Sequence, residues 1–482
     1  MSGRLRASPL CPVAVAIGAL AGGCAIGPDY ERPADAMPVE EFRGVLAPQQ
    51  AESFADLGWA AAFDDPELVE LIRTGLESNL DLQIAAARVE EFRGLARIER
   101  SRLGPQIAGQ ASTSPSPQGE EDASYSAGFE LSWELDLFGK LRRANEAARA
   151  ELLASEDNAR GVMTLLVADV ASTWFQLREL DEEVQIIRDT IKSQQESLAL
   201  VQALNRSGVA SGTEEQQAVG QLATTRAQLP VAERNREQVE NRLQFLLGYP
   251  ADRIPRIQSP RAFPVPPEIP VGLPSMLLTR RPDLRQAEQQ LHAATARVGV
   301  ALASRFPYLN IGVTSFFGLV SPDLDALLNS DDPAEELFSV GPLASAPIWQ
   351  SGAGTGNVAA ARAQALQAEL GYRRAVLQAL REVSDALIAT DKVREVIAQN
   401  EIRVAATGEV LRLQRMRYRG GVVSYLEVLD AERQSFDAEI ELARSKLDQL
   451  RAYVELYRAL GGGWSEDELR RVIDAAAAAT TK

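Results

Sequence analysis

Histidine occurs once in this chain of 482 residues, at His292, and cysteine twice, at Cys11 and Cys24. That scarcity excludes a His-rich metal site, a zinc cluster and a disulfide framework. Basic charge is also short, with 50 Lys and Arg against 67 Asp and Glu and a net charge of −17. A nucleic-acid partner needs a basic face, so none is expected. After Cys24 no run of about 18 apolar residues occurs, which leaves no transmembrane helix. If the chain crosses a membrane it must use strands. No Gly-rich phosphate loop follows a strand and no serine elbow is present. His292 sits in a helical stretch with no motif around it and reads as structural. The expectation is a protein that is not an enzyme and holds no cofactor or metal.

What is present begins with an address. Arg4 and Arg6 precede a short apolar stretch, residues 10–20, and the small residues Ala21-Gly22-Gly23 lead to Cys24. That order is a secretory signal, residues 1–23. A cysteine directly after the small residues resembles a bacterial lipobox, although Ala21 stands where leucine is usual and Leu20 lies one place further back. The resemblance implies acylation of Cys24, and Ala25 rather than aspartate after it permits delivery to the outer membrane.

The remainder reads as one pattern written twice. At an offset of 202, Asn79-Leu80-Asp81-Leu82 matches Arg281-Pro282-Asp283-Leu284, and Pro105 matches Pro307. At an offset of 213, Gly139 matches Gly352, Gly208-Val209 matches Gly421-Val422, and Leu247-Gly248 matches Leu460-Gly461. The extra residues fall between Pro307 and Gly352, where a loop tolerates them. Domain bounds follow: an extended N-terminal segment 24–66, repeat 1 over 67–249, a linker 250–275 with eight prolines, repeat 2 over 276–464, and a tail 465–482.

Each repeat has the same order of elements. Helical stretches 67–103 and 276–305 end before Pro105 and Pro307. Long proline-free helices are expected at 140–207 and 352–418, each of about 100 Å at 1.5 Å per residue. Each is followed by another, at 213–247 and 424–461, the former expected to kink at Pro230. In 424–461, Leu426, Leu429, Arg433, Phe436, Ile440, Ala443, Leu447, Leu450, Val454 and Tyr457 step by three and four, a heptad seam. A plain antiparallel coiled coil and a wall of helices around a tunnel both fit.

Strands are expected at 106–114, 126–138, 308–318 and 336–349. The clearest alternates Phe129, Leu131, Trp133, Leu135 and Leu137 with Glu130, Ser132, Glu134 and Asp136. Apolar-out, acid-in alternation suits a lipid-facing, water-filled barrel, and a soluble sheet with one wet face also accounts for it. Four strands cannot enclose a lumen, and an open edge cannot face lipid. Transmembrane strands would therefore require several copies in one cyclic barrel.

Taken in order, several segments resemble the lipoprotein branch of the TolC-like outer membrane efflux protein family: Cys24 to Pro33, Arg280 to Leu284, Arg417 to Val422, Leu429 to Glu432, and Ala459 to Trp464. The resemblance implies an α+β membrane protein of two repeats, each with two β-strands and long α-helices. A homotrimer would form a twelve-stranded β-barrel in the outer membrane, continuous with an α-helical barrel across the periplasm. Partners implied are a periplasmic adaptor protein and an inner-membrane RND-type transporter, with export of drugs or other toxic small molecules. Type I protein secretion is the alternative.

The resemblance also assigns sites. The adaptor-docking tips fall on Gly208, Val209 and Ser211 and on Gly421, Val422 and Ser424, where glycine also suits a plain hairpin turn. The periplasmic aperture falls on Leu426, Asp430 and Arg433. A leucine ring would block water by dewetting and an aspartate ring would favour cations, with Arg433 pairing a carboxylate to hold the closed state. Without the resemblance, Asp430 and Arg433 read as solvated surface charges. Glu130, Glu134 and Asp136 would line the barrel lumen.

Overall fold

The computed structural model describes residues 25–33, 37, 39, 58–63, 65–114, 124–250, 274–305, 312–321, 335–343, 349 and 351–480. Cys24 and most of the proline-rich linker lie outside the described residues. The elements in chain order are α1 (Trp59–Phe63), α2 (Pro66–Ser78), α3 (Leu80–Ser101), β1 (Gln106–Ser114), β2 (Ser124–Glu134), α4 (Lys140–Arg206) and α5 (Gly212–Leu246). A 3-10 turn (Pro274–Met276) then opens the second half, followed by α6 (Leu277–Arg280), α7 (Pro282–Ala303), β3 (Gly312–Ser321), β4 (Glu335–Leu343), α8 (Ala353–Arg419), α9 (Tyr425–Ala459) and α10 (Glu466–Thr480). Among the described residues no helix is long and apolar enough to cross a membrane.

Two compact units share the chain: Met1–Ala34, Arg88–Glu156 and Gln286–Arg374 form the first, and Asp35–Ala87, Asp157–Arg285 and Ala375–Lys482 the second. Among the described residues the first contains one antiparallel sheet in the order β1-β2-β3-β4, so β2 of one repeat pairs with β3 of the other. Register places Gly109, Phe129, Phe317 and Phe338 side by side across all four strands. Ile107, Leu131 and Val340 lie two residues along on the same face.

The second unit is helical. Trp174, Leu68, Ile72, Leu82, Met163 and Leu456 are fully buried, and each such side chain contributes about 1.5–3 kcal/mol by leaving water. Phe63 meets the edges of Phe175 and Tyr457, with ring centroids 6.3 and 5.6 Å away. Asp65 caps α2 through the amide of Glu67 and also accepts the Trp174 indole N–H at 3.0 Å.

Glycines close the helices at matching places in both repeats. Gly208, Gly248, Gly421 and Gly461 all have positive φ. At each, the following amide reaches the carbonyl five residues back, as Val209 to Leu204 and Val422 to Arg417 do. This is the Schellman closure, which requires a left-handed residue.

Several expected bounds move. The stretch 67–103 is two helices, broken at Asn79, whose extended backbone and side-chain cap on the Leu82 amide end α2 and start α3. The helix expected from 276 begins properly only at Pro282, because the residue before proline avoids the helical region and Arg281 is extended. Segment 24–66 is not wholly extended, since α1 lies within it and α2 begins at Pro66. The tail 465–482 carries helix α10, with Leu469 and Ile473 buried and Glu466 paired to Arg160. α5 runs through Pro230 as one helix.

The strand expected at 126–138 is Ser124–Glu134. Asp136 ends the alternation by accepting the amides of Leu141 and Arg142 at 3.1 and 2.8 Å, an anion at the start of α4. The expected strand 336–349 is described over Glu335–Leu343, and residues 344–348 lie outside the described residues. The expected strand 308–318 is described from Gly312 and runs to Ser321.

Candidate functional site

Three places carry the functional residues. The sheet is the first. Phe129, Phe317 and Phe338 are 63%, 59% and 70% exposed in the single chain. Three adjoining aromatic rings left in water are unfavourable, so this face is built for an apolar surround. The opposite face carries Gln106, Gln110, Ser112, Ser126, Glu130, Ser132 and Glu335. Phe316 breaks the alternation on that face. Gly128 and Gly318 face each other there so closely that a Cβ on Gly128 would sit 2.6 Å from the Gly318 Cα and 2.8 Å from the Phe316 ring. The ring covers the bare glycine backbone.

Of the three acids expected to line a lumen, only Glu130 is mid-strand. Glu134 ends β2 and pairs with Lys140 at 3.3 Å, and Asp136 caps α4 instead.

The N-terminal segment is strapped to the first unit. The Ile26 amide donates to the Phe138 carbonyl at 3.1 Å. Asp29 pairs with Arg143 at 2.6 Å. Glu288 accepts from Arg32 twice, at 3.0 and 2.8 Å, and from the Tyr30 hydroxyl at 3.1 Å. The Tyr30 ring stacks on His292, 4.7 Å between centroids, and the His292 Nε2 is hydrogen-bonded to Glu146. Burial, with the Glu288 charge, pushes the Tyr30 hydroxyl above its ordinary range. His292 is thus part of a structural clasp.

The second place is the pair of helix turns. Ser211 caps α5 by a reciprocal box with Glu214. Glu214 also accepts the Tyr425 amide at the start of α9, at 3.5 Å. One carboxylate thereby joins the two turns, and Ser424 makes no side-chain cap of its own. Val209 and Val422 point outward while Ala210 and Val423 pack on the cluster of Val201, Tyr418, Tyr425 and Val428.

The third place is the first two turns of α9. Leu426 is 57% exposed, and Asp430 and Arg433 are exposed beside it. Tyr425 and Val428, with Leu429, occupy the packed face, so the apolar seam runs one residue out of step with Leu426 and includes it nowhere. Arg433 has no carboxylate partner among the described residues. Its Nε donates to Gln221 on α5 at 3.0 Å, and Asp430 accepts from Gln434 at 2.8 Å. Among the described residues no group of His, Cys, Asp and Glu could hold a metal ion.

The sheet exposes a row of phenylalanines on one face, and a helix of 67 residues follows it in each repeat. The model of the outer membrane efflux protein family matches residues 71–249 and 273–462. The chain belongs to the outer membrane efflux protein family. It is 37% identical over 460 residues to SrpC, a solvent efflux pump outer membrane protein of Pseudomonas putida, covering 92% of this chain and 96% of that one. It is 32% identical over 450 residues to CusC, a cation efflux system protein of Escherichia coli K12, with coverage of 92% and 96%. Among solved structures it is similar to the outer-membrane channel OprN, with a TM-score of 0.82 at 31% identity, covering 92% of this chain and 100% of that one.

As an outer membrane efflux protein, the chain is the outer-membrane exit channel of an efflux pump, and its family is one of transport proteins rather than enzymes. Sequence reasoning passed over Glu214, although Ser211 followed three residues later by an acid is a readable capping signal. It also passed over Glu335 on the polar face of the sheet, and Glu432, whose burial only the packing reveals.

Proposed function

We propose that three copies of this chain form the exit duct of a tripartite pump for small molecules. The observation that carries the reading is the four-stranded sheet, with its exposed phenylalanine row and two unpaired edges, β1 and β4. Strands β1 to β4 alternate in direction, so β4 of one copy meets β1 of the next antiparallel, and three sheets close a twelve-stranded barrel without an edge. The phenylalanine face then meets lipid, and Glu130 and Glu335 face the lumen.

Cys24 carries the acyl anchor, and the strap that follows it, from Ile26 to Arg32, is tied to the first unit through Phe138, Arg143 and Glu288. The turns at Gly208, Val209 and Ser211 and at Gly421, Val422 and Ser424 dock the periplasmic adaptor, which links the duct to an inner-membrane transporter. Leu426, Asp430 and Arg433 face the threefold axis and form the closed aperture. Relatives named for solvent and cation efflux support small cargo over protein secretion.

The deciding measurement compares intracellular accumulation of solvents, drugs, dyes and metal ions in a deletion strain and the same strain complemented with the wild-type chain. Higher accumulation on deletion, reversed by complementation, is expected and names the cargo class. No change across the panel, with secretion of an exoprotein lost, would overturn the reading. Mass spectrometry of the mature N-terminus is expected to show an acylated Cys24, and a free thiol would remove the anchor from the account.

A further inference from the structure

On the phenylalanine side of the sheet, β2 presents Tyr125, Ala127, Phe129, Leu131 and Trp133. Tyr125 and Trp133 stand eight residues apart. At about 3.4 Å per residue and a tilt of about 40°, that is about 21 Å along a barrel axis, close to the ~25 Å apolar band of such barrels. Aromatic side chains with a polar tip settle at the two edges of that band.

The helices attach at the Trp133 end. β1 and β3 begin there, and β2 and β4 end there, so the ends of α3 and α7 and the starts of α4 and α8 share one rim. The Trp133 indole donates to the Leu103 carbonyl, in the turn after α3, at 3.1 Å. Gly299, near the end of α7, lies against Arg143 in the first turn of α4. Trp349, between β4 and α8, is 84% exposed. Ala25 packs on Gly139 at the same rim, and Cys24, the anchor proposed above, precedes it in the chain.

This rim holds a surplus of cations. Glu99 pairs with Arg102 at 3.4 Å, Glu134 with Lys140 at 3.3 Å and Asp136 with Arg142 at 3.2 Å. Arg97 and Arg100 near the end of α3, and Arg305 just after α7, are exposed. None of the three has an acidic partner among the described residues. The other end of the sheet is the reverse. Glu335 and Glu336 open β4, and the connectors 115–123 and 322–334 contain acids and no Lys or Arg. In a chain of net charge −17, unpaired arginines gathered beside an apolar face form a local field that attracts an anion.

We propose that Arg97, Arg100 and Arg305 bind the phosphates of anionic phospholipids in the membrane leaflet on the periplasmic side, with Trp133 and Trp349 at the edge of the hydrocarbon. The inference rests on the barrel reading above. The polar headgroup layer adds about 5–7 Å beyond the hydrocarbon on each side, and an arginine is long enough to lay its stem on apolar surface and reach a phosphate at that level. A guanidinium grips a phosphate with two parallel hydrogen bonds. Pairing β4 of one copy with β1 of the next brings the segment of Trp349 beside the end of α3, so the next copy completes the site around Arg97 and Arg100. A lipid, rather than an acidic protein, is the occupant because the cations adjoin the edge of the apolar band.

The test is quenching of tryptophan fluorescence in the full-length channel, reconstituted in mixed bilayers with either phosphatidylglycerol or phosphatidylcholine brominated on its acyl chains. Brominated phosphatidylglycerol is expected to quench severalfold more effectively at low salt, and the difference should shrink at 1 M salt, where charges are screened beyond about 3 Å. Arg97→Gln/Arg100→Gln/Arg305→Gln should lose the preference, and the matching triple lysine variant should keep most of it. Arg381→Gln/Arg412→Gln, exposed on α8, should keep all of it. A triple glutamine variant that assembles with its preference intact overturns the proposal. If that variant does not assemble, Arg100→Gln and Arg305→Gln singly carry the same test, and two unchanged preferences overturn it. Equal quenching of the wild type by both lipids removes the phosphate site and leaves the barrel standing. Quenching by neither means that Trp133 and Trp349 do not meet the membrane, and the barrel reading fails as well.

Discussion

Asn79 and Arg281 make the same contact in the two halves of the chain: Asn79 Nδ2 donates to the Leu246 carbonyl at 2.9 Å, and Arg281 Nη1 donates to the Ala459 carbonyl at 3.0 Å. The donors stand at the 202 offset and the acceptors at the 213 offset, so the contact joins equivalent places in both repeats. Each satisfies a carbonyl that the end of a helix leaves open. Arg281 goes further, pairing with Asp283 at 2.7 Å and Glu382 at 2.8 Å.

The two contacts should differ in strength. Arg281→Ala takes from Glu382 its 2.8 Å ion pair and leaves it Gln378 and the more distant Arg458; burial would raise this carboxyl, but hydrogen bonds from Gln378 and Arg281 hold it below its ordinary range. Breaking a buried pair costs about 3–5 kcal/mol, whereas Asn79→Ala forfeits neutral hydrogen bonds worth about 1 kcal/mol each. Urea unfolding of the detergent-solubilised channel measures both. Equal losses would mean that the ion pairs of Arg281 add nothing.

Glu179 should make stability depend on pH. It is buried in α4, and burial, with the nearby Glu183 charge, pushes its carboxyl from 4.5 up to about 7. Between those values the unfolded chain gives up the proton first, so stability falls as pH rises, by about 3 kcal/mol in all. Glu179→Gln should remove that slope and raise the melting temperature at pH 8 but leave it unchanged at pH 4. Melts at three pH values decide it.

The facing glycines of the sheet should tolerate no side chain. Gly128→Val drives its Cβ into the Gly318 backbone, and close-packed backbone cannot give way as a flexible side chain can. The expected result is loss of the heat-resistant oligomer on a semi-native gel. Phe316→Ala should not rescue it, since the nearest obstacle is Gly318. Recovery in the double variant would place the strain in the ring instead.

Gly421 tests the backbone alone. Its φ is +69° and no atom lies near a built Cβ. Gly421→Ala should therefore cost about 1–2 kcal/mol purely from left-handed strain, and Gly421→Asn less, because asparagine accepts that region. Unfolding midpoints of the two variants should rank in that order, and Gly208 should behave alike.

Local signals were legible. Gly208, Gly248, Gly421 and Gly461 announced the helix ends because a Schellman closure involves only neighbours along the chain. The alternation from Ala127 to Glu134 announced β2, and the duplicated landmarks announced the order of elements. Legibility failed where a local signal met a distant partner. Asp136 continued the strand pattern in sequence yet was taken by the amides of α4. Leu426 fitted a heptad step, but the buried places went to Tyr425 and Val428. Arg433 looked ready for a carboxylate and found Gln221 on α5.

The sequence by itself determined the repeated order of elements, the helix lengths and the one strand with a clean alternation. These depend on composition, on period and on residues within a few positions of one another. Only the tertiary structure decided which face of α9 is packed, which acid is buried at Glu432, that Glu214 joins both turns, and that β2 and β3 pair across the two repeats. Those outcomes turn on contacts between residues far apart in the chain, where a shift of one position along a helix turns a side chain by 100° and exchanges a packed face for an open one.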